Sequence, residues 1–133
     1  MFALRILLLA AILWLQSCGF ISSEGLPAPP KAIFGGTLID GTGRPPIPDA
    51  LVVVELGKIV IATSSNGLKI PENAVRTNAK GLYITPSQSG ARLEYGAPAD
   101  LFLLSGNPLD NPLILGSPMR VMKTGEWLDA NKK

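Results

Sequence analysis

The chain has 133 residues, of which 17% are charged, and its 12 Lys and Arg against 10 Asp and Glu leave a formal net charge of only +2. The basic residues are scattered and form no stripe, which argues against binding to a nucleic-acid backbone. There is no His and one Cys, so the composition excludes an internal disulfide and a metal site built from His or several Cys. A hydrophobic content of 47%, with 14 Gly and 12 Pro, is typical of one small, turn-rich domain.

Residues 1–17 have the pattern of an export signal. Arg5 precedes an apolar run from Ile6 to Leu15, which is predicted to be helical. Ten residues at about 1.5 Å per residue are too short for a hydrocarbon core of about 30 Å. The pattern therefore favours a signal peptide over a transmembrane helix, with an uncleaved helical anchor as the alternative.

This run ends in "LQSC", Leu15 to Cys18, which resembles the lipobox of bacterial lipoproteins. The resemblance implies cleavage between Ser17 and Cys18, a diacylglyceryl group on the Cys18 sulfur and acylation of the new amine. Two or three acyl chains anchor a protein firmly, whereas one binds only marginally. It further implies a lipid-anchored protein of the bacterial cell envelope, and Gly19 after the cysteine favours the outer membrane in a diderm host. An ordinary cleaved signal is the other interpretation.

Residues 18–31 are predicted to be a tether, because "GFISSEGLPAPP" has no sustained periodicity and ends in a proline-rich stretch. Residues 32–133 are predicted to form the folded domain. Short apolar runs bounded by Gly, Pro, Asn and Asp indicate β-strands there. The expected fold is all-β, a small β-sandwich or open barrel preceded by the helical signal segment. The predicted strand segments are "AIFGGTLID", "ALVVVEL", "KIVIAT", "GLYIT", "DLFLLS" and "RVMKTGEWLD".

Two tight hairpins are predicted from glycine positions. In "VVVELGKIVIA", Gly57 lies between two β-branched runs and can supply a positive φ. In "VMKTGEWLD", Thr124 and Gly125 take the same place before a return strand with Trp127. The stretch "NPLILGSP" is predicted to hold one short turn of helix.

Two separated stretches resemble the amidohydrolase superfamily, the metal-dependent hydrolases related to imidazolonepropionase and dihydroorotase. The first, residues 32–86, contains "DGTG", "PDA", "GKI" and "AKG", in the order of the family's opening segment. The second, residues 96–129, contains "ADL", "GNPL" and "VMKTG", as in its closing segment. In the family these ends form a composite β-sandwich around an inserted TIM barrel. The resemblance thus implies that the barrel is absent and that residues 87–95 bridge its site.

The family's chemistry uses histidines, a carboxylated Lys or Glu, and an Asp around a metal-bound water. With no His, none of these ligands is matched, so we predict no catalytic residue, no metal site and no cofactor. The remaining carboxylates are interpreted as turn or solvated residues, because Asp in turns bonds to nearby backbone. These carboxylates are Asp40, Asp49, Asp100, Asp110, Asp129, Glu55, Glu72, Glu94 and Glu126.

Three hypotheses follow for function. In the first, the chain is a non-catalytic, lipid-anchored remnant or binding module derived from an amidohydrolase. In the second, it is the accessory subunit of a hydrolase that acts on carbon-nitrogen bonds and whose barrel is on another chain. In the third, it is a truncated gene model of an amidohydrolase. Losing a barrel would uncover an apolar face that invites self-association or a barrel-bearing partner. The aromatic side chains Tyr83, Tyr95, Phe102 and Trp127 are candidates for that face, with burial in the sandwich core as the favoured alternative.

Overall fold

A computed structural model describes residues 27–128, which form nine β-strands in two sheets and one short 3-10 helix. The predicted all-β sandwich is confirmed. The predicted signal segment, residues 1–17, most of the tether and residues 129–133 lie outside the described part. Within the described part, no helix is long and apolar enough to cross a membrane. The strands are β1 (Lys31–Phe34), β2 (Thr37–Leu38), β3 (Ala50–Glu55), β4 (Lys58–Ser64), β5 (Val75–Asn78), β6 (Tyr83–Pro86), β7 (Leu101–Leu104), β8 (Arg120–Lys123) and β9 (Glu126–Leu128).

The first sheet has the strand order β4-β3-β1-β5, and the second has the order β2-β6-β7-β8-β9. Strand β1 pairs in parallel with β5, and β2 pairs in parallel with β6; the other pairs are antiparallel. The predicted segment 32–40 divides into two strands, one in each sheet. The chain passes between the sheets at Gly35, whose φ of +85° ends β1.

Strand β5 was not predicted from the sequence. Its residues, "VRTN", are mostly exposed, and it lies at the edge of the first sheet. An edge strand without a buried face lacks the alternation of apolar and polar residues that marks other strands. Its pairing with β1 is therefore visible only in the folded chain.

The main core lies between the two sheets. Inward-facing side chains of both sheets fill it, including Ile33, Val52, Ile84, Leu101 and Met122, all fully buried. A second, smaller cluster lies on the outer face of the first sheet, where Leu51 and Val53 are covered by Ile70 from the loop between β4 and β5. The chain itself thus covers the central part of the outer face of the first sheet.

Both predicted hairpins are confirmed, and they touch each other. Leu56 and Gly57 join β3 to β4, and Thr124 and Gly125 join β8 to β9, each pair with φ between +48° and +80°. Two positive φ values are typical of type I′ turns, which match the twist of the flanking strands. A Cβ on Gly125 would lie 2.8 Å from the Gly57 Cα, so the two turns are in backbone contact. This contact joins the sheets at one end of the sandwich.

The chain enters the sandwich beside the β8–β9 turn. The Lys31 Nζ donates to the Gly125 carbonyl at 2.5 Å and lies 2.9 Å from a Glu126 carboxylate oxygen. Lys31 is the first residue of β1, so the tether leaves the domain at this turn.

Candidate functional site

The outer face of the second sheet carries a row of side chains that continues across four strands. The register places Leu128 opposite Val121, Val121 opposite Phe102, and Phe102 opposite Thr85. Neighbouring core residues such as Ile84, Leu101 and Met122 point into the sandwich, and side chains alternate along a strand. The four paired side chains, called the apolar row below, therefore lie on the opposite, outer face.

The segment between β7 and β8 lies alongside the apolar row and covers it only in part. It contains the predicted short helix turn, confirmed as a 3-10 helix at Pro112–Gly116 that contacts β7. Large apolar side chains remain exposed along this segment and at the end of the row. Their exposed fractions are 85% for Leu113, 63% for Leu109, 55% for Met119, 52% for Leu128 and 41% for Leu115. Four of these five side chains lie within residues 109–119, and clustered apolar exposure is typical of interaction surfaces.

At the Thr85 end, the row continues into an open groove of about 580 Å³. Residues 85–91, which include the junction where the amidohydrolase resemblance breaks, form one wall of this groove, called the junction groove below. Apolar side chains form most of the remaining lining of the groove, namely Ile39, Phe102, Pro108, Leu109 and Leu115. The groove thus lies at the end of the first resembling stretch, where the resemblance implies that the chain would enter the barrel.

Thr85 is the one buried hydroxyl in the described part without a hydrogen-bond partner. Its side chain is only 3% exposed and lies at the junction groove. A buried hydroxyl without a partner destabilises the folded state by about 1–3 kcal/mol. Neither its burial nor its missing partner has a signal in the sequence.

Thr85→Val is expected to raise the free energy of unfolding by about 1 kcal/mol, because it removes the unpaired hydroxyl and keeps the shape. Thr85→Ser is the matched control; it keeps the hydroxyl, loses a methyl group and is expected to destabilise by about 0.8 kcal/mol. Urea unfolding of both variants checks this. Destabilisation by Thr85→Val would mean that the hydroxyl has a partner in solution.

The bridging segment, residues 87–95, is bound to the sandwich at several points. The Ser87 N–H donates to the Asp100 carbonyl at 3.2 Å, and the Leu93 N–H donates to the Asp40 carbonyl at 2.8 Å. The Leu93 side chain is 1% exposed and belongs to the main core. The bridge is therefore a packed part of the domain.

Four of the carboxylates make side-chain contacts in the described residues, namely Asp40, Asp49, Asp100 and Glu126. Asp49 accepts a hydrogen bond from the Ser65 hydroxyl at 3.0 Å, and Asp100 accepts one from the Thr124 N–H at 2.7 Å, which fixes the β8–β9 turn. No group of three His, Cys, Asp or Glu side chains comes together within residues 27–128 in a way that would hold a metal ion. Asp129 lies outside the described residues, as does the predicted lipidation site Cys18.

Asp40 is buried in the turn "DGTGR" and carries the most hydrogen bonds of these carboxylates. It accepts from the Thr42 N–H at 3.0 Å, from the Thr42 hydroxyl at 2.6 Å and from the Arg44 guanidinium. Burial by itself raises the pKa of Asp40, but the hydrogen bonds from Thr42 and the positive charge of Arg44 outweigh it. The pKa of Asp40 is therefore lower than that of an ordinary aspartate.

Because the Asp40 pKa is lower in the folded chain than in the unfolded chain, its ionised form contributes stability above about pH 4. That contribution is lost as the pH falls through the folded pKa. Asp40→Asn is expected to destabilise the domain by about 1–3 kcal/mol at pH 7 and to flatten the acid side of its stability profile. Urea unfolding between neutral and acid pH measures both; a parallel pH profile for the two chains would contradict the assignment.

The four aromatic candidates have different surroundings. Trp127 packs against the main core and has the Arg120 guanidinium 4.0 Å above its ring. Phe102 is half-buried in the apolar row, and Tyr83 is half-buried at the start of β6. Tyr95 is 82% exposed, so burial in the core, the favoured expectation, is wrong for this residue.

No family model and no curated protein matches this chain. Solved structures that resemble part of it include enzymes of the amidohydrolase family. A molinate hydrolase has 35% identity over 47% of this chain and 14% of its own, with a TM-score of 0.41. Phenylurea hydrolase B has 31% identity over 44% of this chain and 13% of its own, also at 0.41. E. coli guanine deaminase has 24% identity over 44% of this chain and 17% of its own, at 0.39.

This chain therefore spans less than a fifth of the length of each of these enzymes. Overlaps at TM-scores near 0.4 transfer neither an activity nor a substrate to it.

Proposed function

We propose that this chain is a lipid-anchored, non-catalytic binding module, derived from an amidohydrolase that lost its barrel. The observation that carries the proposal is the open apolar surface of the second sheet. On this sheet the junction groove is open, and large apolar side chains of the segment beside the apolar row, such as Leu109, Leu113 and Met119, are exposed. An open apolar surface on a folded domain is the feature of a binding module.

The ancestry is supported by the motifs that flank the junction. The "DGTG", "GKI", "AKG" and "ADL" stretches follow the family order, whereas the histidines on which the family's metal chemistry depends are absent from the sequence. The packed bridge supports the idea that the shortened chain folds as one unit. Leu93 of the bridge is buried in the main core together with residues of both resembling stretches.

The anchor is tested by expressing the full chain in a diderm bacterium supplied with an alkyne analogue of palmitate. The chain is expected to carry the label and to sediment with the membranes, whereas Cys18→Ala loses the label. Ser17→Ala is the matched control, because it keeps a small residue before the cysteine and is expected to retain the label. An unlabelled full chain would contradict the anchor. Metal-dependent amidase activity in residues 19–133 would contradict the non-catalytic assignment.

The alternative function is that of an accessory subunit, whose barrel is supplied by another chain. The position of the junction groove favours it, since residues 85–91 line the groove and are also the point where the barrel would connect. A hydrolase that co-purifies with this chain from native membranes would support this alternative.

A further inference from the structure

Strand β4 forms one edge of the first sheet, and only the start of that edge is covered. The Ile59 N–H donates to the Ala97 carbonyl at 2.9 Å, and the Gly96 N–H donates to the Ile59 carbonyl at 2.8 Å. Beyond Ile59, no segment within residues 27–128 pairs with the outer side of β4. This uncovered part of the strand, residues 60–64, is called the open edge below.

The register shows which backbone groups of the open edge point away from β3. The Ala50 N–H donates to the Gly36 carbonyl at 2.8 Å, and the Gly35 N–H donates to the Ala50 carbonyl at 3.1 Å. Ala50 thus faces β1, so Ser64, which lies opposite Ala50, directs its own N–H and C=O to the open side. Alternate residues of an antiparallel strand point the same way, so Ala62 does the same. Both residues therefore present a free donor and a free acceptor in the part of the chain that the structure describes.

The open edge lacks the protection that the other sheet edges have. Strand β2 has only two residues, β5 carries Arg76, and β9 carries Glu126. Short strands and charged side chains are means by which proteins prevent the pairing of sheet edges. The open edge has the sequence "VIATS", without a charge or a proline. An uncharged edge with free donors and acceptors is suited to pair with another extended strand.

The open edge is complementary to a second copy of itself. When two copies run antiparallel with Thr63 at the centre, Ala62 of each copy lies opposite Ser64 of the other, and the free donors and acceptors of both residues are paired. This pairing lies beyond the irregular register at Val60. It also places two exposed, β-branched Thr63 side chains opposite each other, a favourable cross-strand pair. Each strand ends at Ser64, so the second copy does not reach the covered start of β4.

A groove of about 390 Å³ beside the open edge has space for a second copy. It is lined by residues 60–63 and, among others, by Leu68 and Tyr95. Leu68 is 43% exposed and Tyr95 is 82% exposed, so large side chains next to the edge are available to be covered. The charged residues at the groove, Arg44 and Glu94, have opposite signs, so two copies bring no excess of like charge to the contact.

From these observations we infer that β4 joins two copies of this chain about a two-fold axis, so that their first sheets form one continuous sheet. A second copy fits the open edge because its uncharged strand presents the same donors and acceptors in the inverse order. This inference goes beyond the proposed function, since it concerns the first sheet and does not depend on the lipid anchor or on the apolar row.

Disulfide trapping in the full chain tests the centre of this pairing. Opposed Thr63 residues form a non-hydrogen-bonded pair, in which the Cα atoms are about 4.5 Å apart, within the range of a disulfide. In detergent solution under mild oxidation, Thr63→Cys is expected to form a disulfide-linked dimer several-fold faster than Val75→Cys. Val75→Cys is the matched control, because it replaces a β-branched, 52% exposed residue on β5, at the opposite edge of the same sheet. The unsubstituted chain, whose only cysteine is Cys18, gives the background rate.

Thr63→Lys tests the same contact without a disulfide. It places like charges opposite each other in the dimer, and Thr63 is exposed, so the fold of each copy is expected to be unchanged. Light scattering of the full chain in detergent, with the mass of the detergent subtracted, measures the result. The unsubstituted chain and the matched control Val75→Lys are expected to have twice the monomer mass, and Thr63→Lys the monomer mass.

Equal rates of disulfide formation in the two cysteine variants would overturn the inference, as would a monomeric mass of the unsubstituted chain at every concentration. A dimer that persists in Thr63→Lys would also overturn it, because the dimer would then use another surface. A monomer whose Ala62 amide exchanges its hydrogen as slowly as the paired Val52 amide of β3 would indicate that a different segment occupies the open edge, with the same consequence.

Discussion

Leu93→Ala is expected to lower the free energy of unfolding by about 2–5 kcal/mol, the usual effect of truncating a fully buried Leu. Leu93 is 1% exposed in the main core, although it belongs to the segment that bridges the site of the absent barrel. The loss would include both the apolar area returned to water and the cavity left behind. The free energy of unfolding of a small domain is about 5–15 kcal/mol in total, so the variant is expected to unfold at a much lower urea concentration.

Tyr95→Ala is the matched control, because it lies two residues further along and is 82% exposed. It is expected to change stability by no more than about 0.5 kcal/mol. Trp127 fluorescence during urea unfolding measures both variants, in a Trp14→Phe background so that Trp127 is the only tryptophan. Equal effects of Leu93→Ala and Tyr95→Ala would mean that the bridge is a free loop.

Gly41→Ala is expected to destabilise the domain by about 2–5 kcal/mol, by strain and by a clash together. Gly41 has a φ of +80°, and a Cβ there would lie 2.3 Å from the Ala91 carbonyl oxygen in the bridge. The positive φ costs about 1–2 kcal/mol for a residue with a side chain. The clash forces backbone to move and adds about 1–3 kcal/mol.

Gly43→Ala separates these two contributions. Gly43 lies in the same turn with a φ of +86°, and a Cβ there meets nothing within 4 Å. Gly43→Ala is therefore expected to lower the free energy of unfolding by the backbone strain alone, about 1–2 kcal/mol. The difference between the two variants in urea unfolding measures the contact between the Asp40 turn and the bridge. A difference near zero would contradict that contact.

The sequence predicts those parts of the fold that depend on local signals. Gly57 and Gly125 mark two hairpins because a tight turn needs positive φ values, and both hairpins form. The apolar runs predict the central strands because those strands are buried. Strand β5 is not predicted, because its mostly exposed residues form no apolar run.

The candidate site depends on contacts between distant residues and was only partly predictable. The end of the family resemblance after Pro86 locates the junction. The sequence does not predict that Leu93 is buried in the core or that the Thr85 hydroxyl lacks a hydrogen-bond partner. The apolar row becomes visible only once β6, β7, β8 and β9 are paired in register. Among the aromatic candidates, strand register places Phe102 in the row, whereas Tyr95 is exposed in a turn outside the strands.

The central claim is that this chain acts at the membrane without a catalytic barrel. The most direct test is to pull down the tagged full chain from detergent-solubilised native membranes, and to determine the intact mass, the co-purifying chains and the bound metal on the same sample. We predict a metal-free chain with lipid on Cys18 and no hydrolase bound to it. A barrel-bearing chain that co-purifies with near-stoichiometric metal would contradict this account and would make the chain one part of a split hydrolase.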